Sequence, residues 1–408
     1  MRAIAYWLAV ILIFIIPWED SVSIPGMGSL AKLVGLVVSA FWAATILLEG
    51  RFRKPHFFYA LVLIFFLWNF VSVFWSPDIV STIQRIKTYS QIFLLMLVFW
   101  EVFQKSENLM MGLQAYIYGS YVLIASTIYN YLNGNVSVAY EGRYSATGVN
   151  AVDLALILIM GLPVAMRLFF AARQGKREMI FKLINLAYIP SAIFAIILTG
   201  SRTSLIAVIP FGIYLFLTQQ IKFDRKILVF GALLVLLLAL LPLVPQTIIT
   251  RLGTLGASIE AGDLGGRVDL WRDGIGALAE HPILGVGGGA INYEIGAAVH
   301  NTFISVATET GFIGFLLFLS ILGLVVYKAS MLPGNASEMW LALFMTWAIG
   351  VLSLSWEFRK ITWIMLSFVI IESCFGKQAD EQDGNVNFSE GIKRSFEEGK
   401  SASPSRMI

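Results

Sequence analysis

Twelve apolar runs, each near the length that crosses a bilayer, dominate this sequence. They lie near residues 3–17, 29–48, 56–75, 86–103, 109–131 and 151–171, and again near 182–199, 203–219, 227–244, 301–327, 338–355 and 361–375. About 30 Å of hydrocarbon takes roughly 20 helical residues to cross. Inside it every backbone N–H and C=O must find a partner within the protein. The expected fold is therefore an all-α integral membrane protein of about 12 transmembrane helices. Composition agrees, at 58% hydrophobic and 13% charged, against roughly 45–50% and 25% in soluble domains. The first run follows Arg2 as the apolar part of a signal peptide would. No small-x-small cleavage site stands before Pro17-Trp18-Glu19, and more spans follow, so it reads as the first span.

Lys and Arg set the orientation. With the N-terminus in the cytoplasm, the inner segments hold Arg2; Arg51, Arg53 and Lys54; Lys105; Arg167, Arg173, Lys176, Arg177 and Lys182; Lys222, Arg225 and Lys226; and Lys328. With the polar tail after Phe375 they carry 19 of the 29 basic residues. The organisation is a transmembrane domain over 1–375 and a cytoplasmic tail over 376–408, whose polar, mixed-charge composition predicts disorder. A net charge of +3 gives no footprint for nucleic acid, and one cysteine, Cys374, excludes a disulfide framework or a cysteine-rich metal site.

Two outer segments are long. One, near 132–150, carries Glu141 and Arg143. The other, near 245–300, carries Arg251, Glu260, Asp263, Arg267, Asp269, Arg272, Asp273, Glu280, His281, Glu294 and His300. So many basic residues in an outer loop run against the positive-inside tendency, and function is the economical reason. Val268, Trp271, Ile275 and Leu278 recur at helical spacing after Gly265-Gly266. They predict an amphipathic helix at the outer surface, apolar face toward the membrane, or a plain packing helix over the bundle. It stops near Glu280 because Pro282 disfavours helix at His281. The glycine-rich turn Gly285–Gly289 follows.

Three residues at the outer depth can do chemistry: Arg202 in Thr199-Gly-Ser-Arg-Thr-Ser204, Arg267 at the start of the surface helix, and His300 where the loop re-enters the membrane. Guanidinium groups grip phosphate oxygens bidentately and stay charged. An imidazole beside them is a general base near neutral pH. The set suits glycosyl transfer from a polyprenyl diphosphate, with the arginines stabilising the leaving diphosphate and in-line attack inverting the anomeric carbon. A lone interfacial arginine more often snorkels to lipid phosphate, so the trio carries the argument. Trp271, Arg272, Asn301 and Glu309 complete the expected substrate-binding set. Glu309 lies inside a span, where a carboxylate needs a partner; it either holds Arg202 or orients His300. His281 reads as a helix-end residue, and His56 faces the cytoplasm. Trp356, Glu357, Arg359 and Lys360 line an acceptor cleft or form an interfacial belt. Glu19-Asp20 has no Asp-x-Asp or histidine cluster beside it, and the arginines make a metal redundant.

These residues also carry a resemblance. His300-Asn301 followed by Gly311, Gly200-Ser-Arg-Thr-Ser-Leu205, and Gly266-Arg267 with Trp271 and His281-Pro-Ile-Leu-Gly-Val-Gly287 together resemble the signature of the O-antigen ligase and polymerase superfamily, over roughly 190–375. Thr203 stands where the first motif often has glycine. The resemblance implies a GT-C-like, metal-independent and cofactor-free enzyme. It implies a multi-pass protein of the bacterial inner membrane with cytoplasmic termini and a periplasmic site. Arg202 and Arg267 match the family's diphosphate-binding arginines, and His300 its catalytic histidine. The implied donor is an undecaprenyl diphosphate glycan. The acceptor is lipid A–core for a ligase, the favoured reading, or a second lipid-linked glycan for an O-antigen or exopolysaccharide polymerase. Protein O-glycosyltransferases of the superfamily usually carry a further outer domain.

A transporter or lipid-linked glycan flippase is the reading from another class. It calls for ionisable residues near the midplane, whereas most charges here lie at the outer surface, and no repeat relates the two halves.

Overall fold

The computed structural model describes residues 2–25, 28–136, 142–172, 175–218, 220–254, 256 and 266–375. The tail over 376–408, and Glu141, Glu260, Asp263 and Gly265 of the outer segments, lie outside the described residues.

The described residues are helical almost throughout, with one short hairpin, Ser23–Ile24 against Gly28–Ser29. The helices in chain order are α1 (Arg2–Ile15), α2 (Leu30–Glu49), α3 (Phe57–Val71), α4 (Ile79–Val102), α5 (Ser106–Leu132), α6 (Ala151–Ala171), α7 (Lys176–Leu198), α8 (Arg202–Ala207), α9 (Ile209–Leu217), α10 (Phe223–Leu240), α11 (Gln246–Gly253), α12 (Arg267–Glu280), α13 (Ile291–Ile295), α14 (Thr302–Ser330), α15 (Asn335–Gly350) and α16 (Lys360–Glu372). Among the described residues nine helices, some extended by a 3-10 turn, are long and apolar enough to cross a membrane. The other three expected spans are also helical. Polar residues occupy the first half of α4, including Arg85 and Lys87. The eighth is broken at Val208 into α8 and α9. The thirteen residues of α16 reach about 20 Å, but nearly all of that helix is buried, so it need not match the lipid by itself.

Burial sorts the helices. α6 and α16 form the centre, and α10, at the periphery, exposes Leu228, Leu234 and Val235. Exposed leucines on such a helix face lipid rather than water. Arg167, expected among the inner surface charges, is instead buried: it pairs with Glu372, which also accepts from the Trp340 indole at 2.6 Å. A charge taken out of water needs such a partner.

The feature that shapes the end of the bundle under α12 is a break in α14. Gly311 adopts φ 62°, ψ −172°, dividing the helix into two halves. A break at membrane depth leaves carbonyls without their helical partners. The glycine-rich turn supplies replacements. Val286 N–H donates to the Thr308 carbonyl and Gly287 N–H to the Glu309 carbonyl, both at 2.9 Å. The Trp68 indole donates to the Thr310 carbonyl at 2.9 Å, and Phe312 N–H donates to the Pro282 carbonyl at 2.8 Å. Gly285 and Gly311 approach so closely that a Cβ on either would overlap the other's backbone. The two glycine motifs of the sequence are thus the two sides of one clasp.

The surface helix forms over α12 as expected and ends at Glu280. Ile275 is 55% exposed, whereas Gly274 and Ala277 are buried. Gly274 packs on Val299 and Ile304, and its carbonyl accepts from the Thr308 hydroxyl at 2.9 Å. The small side chain brings α12 against α14, and that contact, not the largest apolar residues, sets the helix rotation.

Candidate active site

The turn Thr199–Ser201 between α7 and α8, with the first residues of α8, gathers basic side chains. Arg143 Nε donates to the Thr199 carbonyl at 2.6 Å, and Arg251 Nε donates to the Gly200 carbonyl at 3.1 Å. Arg202 donates from Nε to the Arg251 carbonyl at 3.1 Å and from Nη2 to the Thr254 hydroxyl at 2.7 Å. Arg267, from α12, reaches the Thr203 hydroxyl at 3.5 Å. Arg202 and Arg267, far apart in sequence, therefore sit on one short turn, with Arg143 and Arg251 packed on Gly200 beside them. Burial and the neighbouring Arg202 guanidinium both push the Arg251 pKa below the usual arginine value. Like charges brought this close form a local positive field suited to an anion.

His300 stands just before α14. Its φ of 50° makes it the one described non-glycine residue in the left-handed region, a conformation costing roughly 1–2 kcal/mol. Such strain concentrates at functional sites, where surrounding structure enforces it. Here the enforcement is visible. Asn301 caps α14, its side-chain oxygen accepting from Phe303 N–H at 3.0 Å and Ile304 N–H at 3.2 Å. On the other side Val299 is fully buried against Gly274. The imidazole between them remains exposed. Partial desolvation and the Arg267 charge lower the His300 pKa below the ordinary histidine value, and Asp153 opposes them. The ring is thus neutral, and able to accept a proton, near pH 7.

Asp153, at the start of α6, was missed by the sequence reasoning. The Trp356 indole donates to its Oδ1 at 2.5 Å and Arg359 to its Oδ2 at 3.2 Å. The Trp356 backbone N–H also donates to the Thr302 hydroxyl at 2.8 Å, so one residue ties Asp153 to the first turn of α14. Removing the Asp153 charge while keeping its shape, as in Asp153→Asn, takes away the influence that raises the His300 pKa. The acid limb of the activity–pH profile should move to lower pH, read from transfer rates between pH 5 and 8. A limb that stays put, or moves up, removes Asp153 from the control of His300.

Other expected site residues lie elsewhere. Glu309 neither holds Arg202 nor orients His300. It is buried and accepts from Arg85 Nη2 at 3.0 Å, while Glu357 accepts from Arg85 Nη1 at 2.8 Å and from the Ser305 hydroxyl at 3.0 Å. A buried carboxylate draws in the nearest available cation, and the α14 clasp faces α4 rather than the arginine turn. The Trp356–Lys360 turn does not form an exposed interfacial belt. Trp356 and Glu357 are buried, and Arg359 and Lys360 pair with Asp20 and Glu19. The side-chain oxygen of Asn301 is taken by the helix cap. Arg272 pairs with Asp269 on the exposed side of α12. The Trp271 indole nitrogen is sealed from solvent with no hydrogen-bond partner among the described residues. His56 caps α3, accepting from Phe58 N–H at 3.1 Å.

Residues 187–319 match a family model described as O-antigen ligase. The chain carries a domain of the O-antigen ligase family. No curated protein matches the chain. The ligase-family domain runs from α7 into the second half of α14. It holds Arg202, Arg251, Arg267, His300 and both sides of the glycine clasp, while Arg85, Arg143, Asp153 and Glu357 lie outside it. The matched segment supports a function of the general O-antigen ligase and polymerase type, that of a glycosyltransferase- or ligase-type enzyme family.

Proposed function

We propose that this protein is an O-antigen ligase, moving a glycan from undecaprenyl diphosphate to a sugar hydroxyl of lipid A–core at the periplasmic face of a bacterial inner membrane. The observation carrying this reading is the approach of Arg267 to the arginine turn of Arg202, with a strained, neutral His300 within its electrostatic reach.

Arg202 and Arg267 hold the donor diphosphate. His300 takes the proton of the acceptor hydroxyl as its oxygen attacks the anomeric carbon. The bond from that carbon to the diphosphate breaks on the opposite face, giving inversion. Negative charge grows on the departing diphosphate, and the fixed guanidinium groups stabilise it without reorganisation. With the charge met by arginines, the step calls for no metal. Arg143 and Arg251 position the turn, since each holds one of its carbonyls.

Purified protein supplied with undecaprenyl diphosphate glycan and lipid A–core should transfer glycan to the core. Growth of the glycan on its own carrier, without transfer to the core, assigns the polymerase activity instead. No transfer to either acceptor, together with glycan movement across liposomes, sinks the enzyme reading. Within the working reaction, Arg267→Lys should lose at least about tenfold in kcat/KM, because an ammonium replaces a bidentate fork. Wild-type kinetics in that variant would remove Arg267 from diphosphate binding.

A further inference from the structure

The bundle has a second basic cluster at its other end. α1 begins there, at Arg2, and runs toward the outer end, where Asp20 meets Arg359. A pocket of about 290 Å³ opens between α1, α2 and the α4–α5 turn, with Arg2, Tyr6, Trp42, Arg51, Glu101 and Lys105 in its lining.

The charges in it do not cancel. Arg2 pairs with Glu49 at 2.7 Å and approaches Glu101 at 3.8 Å. The Glu101 carboxylate also accepts from Arg53 N–H at 2.9 Å. Arg51 and Lys105 are exposed, and neither makes an ion pair among the described residues. Three cations of the lining, Arg2, Arg51 and Lys105, face one carboxylate there, Glu101, and Arg2 also pairs with Glu49 outside it, so positive charge is in excess. The Trp42 ring also lines the pocket. Next to the polar lining stand exposed apolar side chains on the same two helices, Ile4 and Trp7 on α1, Leu47 and Leu48 on α2.

We propose that this pocket binds the phosphodiester headgroup of an anionic phospholipid from the leaflet opposite the candidate active site. A phosphodiester supplies the negative charge that the excess of cations calls for. Its oxygens are acceptors for Arg51 and Lys105, and its acyl chains lie along α1 and α2. Basic pockets between transmembrane helices recognise lipid headgroups by this combination of charge and depth. The binding is independent of the glycan-transfer reading, since no residue of the pocket belongs to that site.

The test is native mass spectrometry of the full chain in detergent, titrated with phosphatidylglycerol and, separately, phosphatidylcholine. Phosphatidylglycerol should be retained in preference. The Arg51→Ala/Lys105→Ala double variant should weaken retention roughly tenfold or more, since each basic group near a headgroup contributes on the order of 1 kcal/mol. Both positions are exposed, so the fold should survive. Lys222→Ala, on the same side of the membrane but outside the pocket, should leave it unchanged. Equal retention of the two lipids, or an unaffected double variant, overturns the proposal. Full displacement of phosphatidylglycerol by millimolar inorganic phosphate assigns the pocket to a soluble anion and overturns it as well.

Discussion

Replacing His300 with alanine should abolish glycan transfer while the protein still folds. Loss of a general base costs about a hundred- to ten-thousandfold in rate. The side chain is exposed, and its flanking residues are fixed by contacts independent of it: Val299 by Gly274, Asn301 by its own cap. Detergent-solubilised variant should therefore elute and melt like the parent. The measurement is single-turnover transfer from undecaprenyl diphosphate glycan, with donor binding followed separately. Donor should still bind, because the arginines remain. Transfer above about a tenth of the parental rate would exclude His300 as the base, since a general base contributes far more than that. The pH profile gives a second check. The folded His300 pKa is depressed below its ordinary value, so the neutral, competent form persists to lower pH than for a free imidazole. The acid limb of the parent should lie below 6.5, the unperturbed histidine pKa.

The second large effect is on stability. Arg85→Leu should destabilise the protein by about 3–5 kcal/mol, the usual cost of leaving buried charge without its partner. Arg85 is the shared counter-ion of Glu309 and Glu357, whose side chains are 1% and 0% exposed. It also lies over the Phe358 ring at 4.4 Å. Glu357→Gln is the informative contrast. It leaves Arg85 with Glu309 alone, a neutral pair, and should cost much less. Thermal melting of both variants in one detergent reads the difference. If Glu357→Gln proves the more damaging, charge balance is not what holds this cluster. The clasp gives the cluster its consequence for the site: Glu309 lies within the segment whose carbonyls hold the glycine-rich turn, and that segment begins two residues after His300. Disorder at Arg85 should spread to the position of the imidazole.

Much of the fold could be read without coordinates. Apolar run length gave the helical membrane class and the approximate ends of the spans, because a bilayer imposes a length on each crossing. It gave the start of α12 at Arg267 and its end before Pro282. Rotation about a helix axis was less legible. The spacing grouped Ile275 with Val268, Trp271 and Leu278 on one apolar face, but in a protein with two apolar solvents an isoleucine is as well placed against lipid as against protein. Gly274, with no side chain to signal a face, is where α12 makes its close approach.

The candidate site divides in the same way. Arg202, Arg267 and His300 were nameable from residue type, depth and the order of the motifs. Arg143 and Arg251 gave only the weaker sign of basic residues on the outer side. Asp153 and Arg85 gave none, since one sits at the start of an apolar run and the other in a span with a polar half. The Glu309 partner was out of reach because Arg85 is 224 residues away in sequence.

By itself, then, the sequence determined the solvent, the helices, the family signature and the candidate site residues at one end of the bundle. Those follow from local composition and spacing, which hydrocarbon thickness and peptide hydrogen bonding read directly. Only the tertiary structure decided which charges meet. It put four arginines on one turn, tied Asp153 to the His300 helix through Trp356, gave Glu309 to Arg85, and closed the break at Gly311 with the glycine-rich loop. Each is a pairing across long sequence separations. What selects it is the cost of a buried charge or carbonyl left unmet, a cost that exists only once the helices have packed.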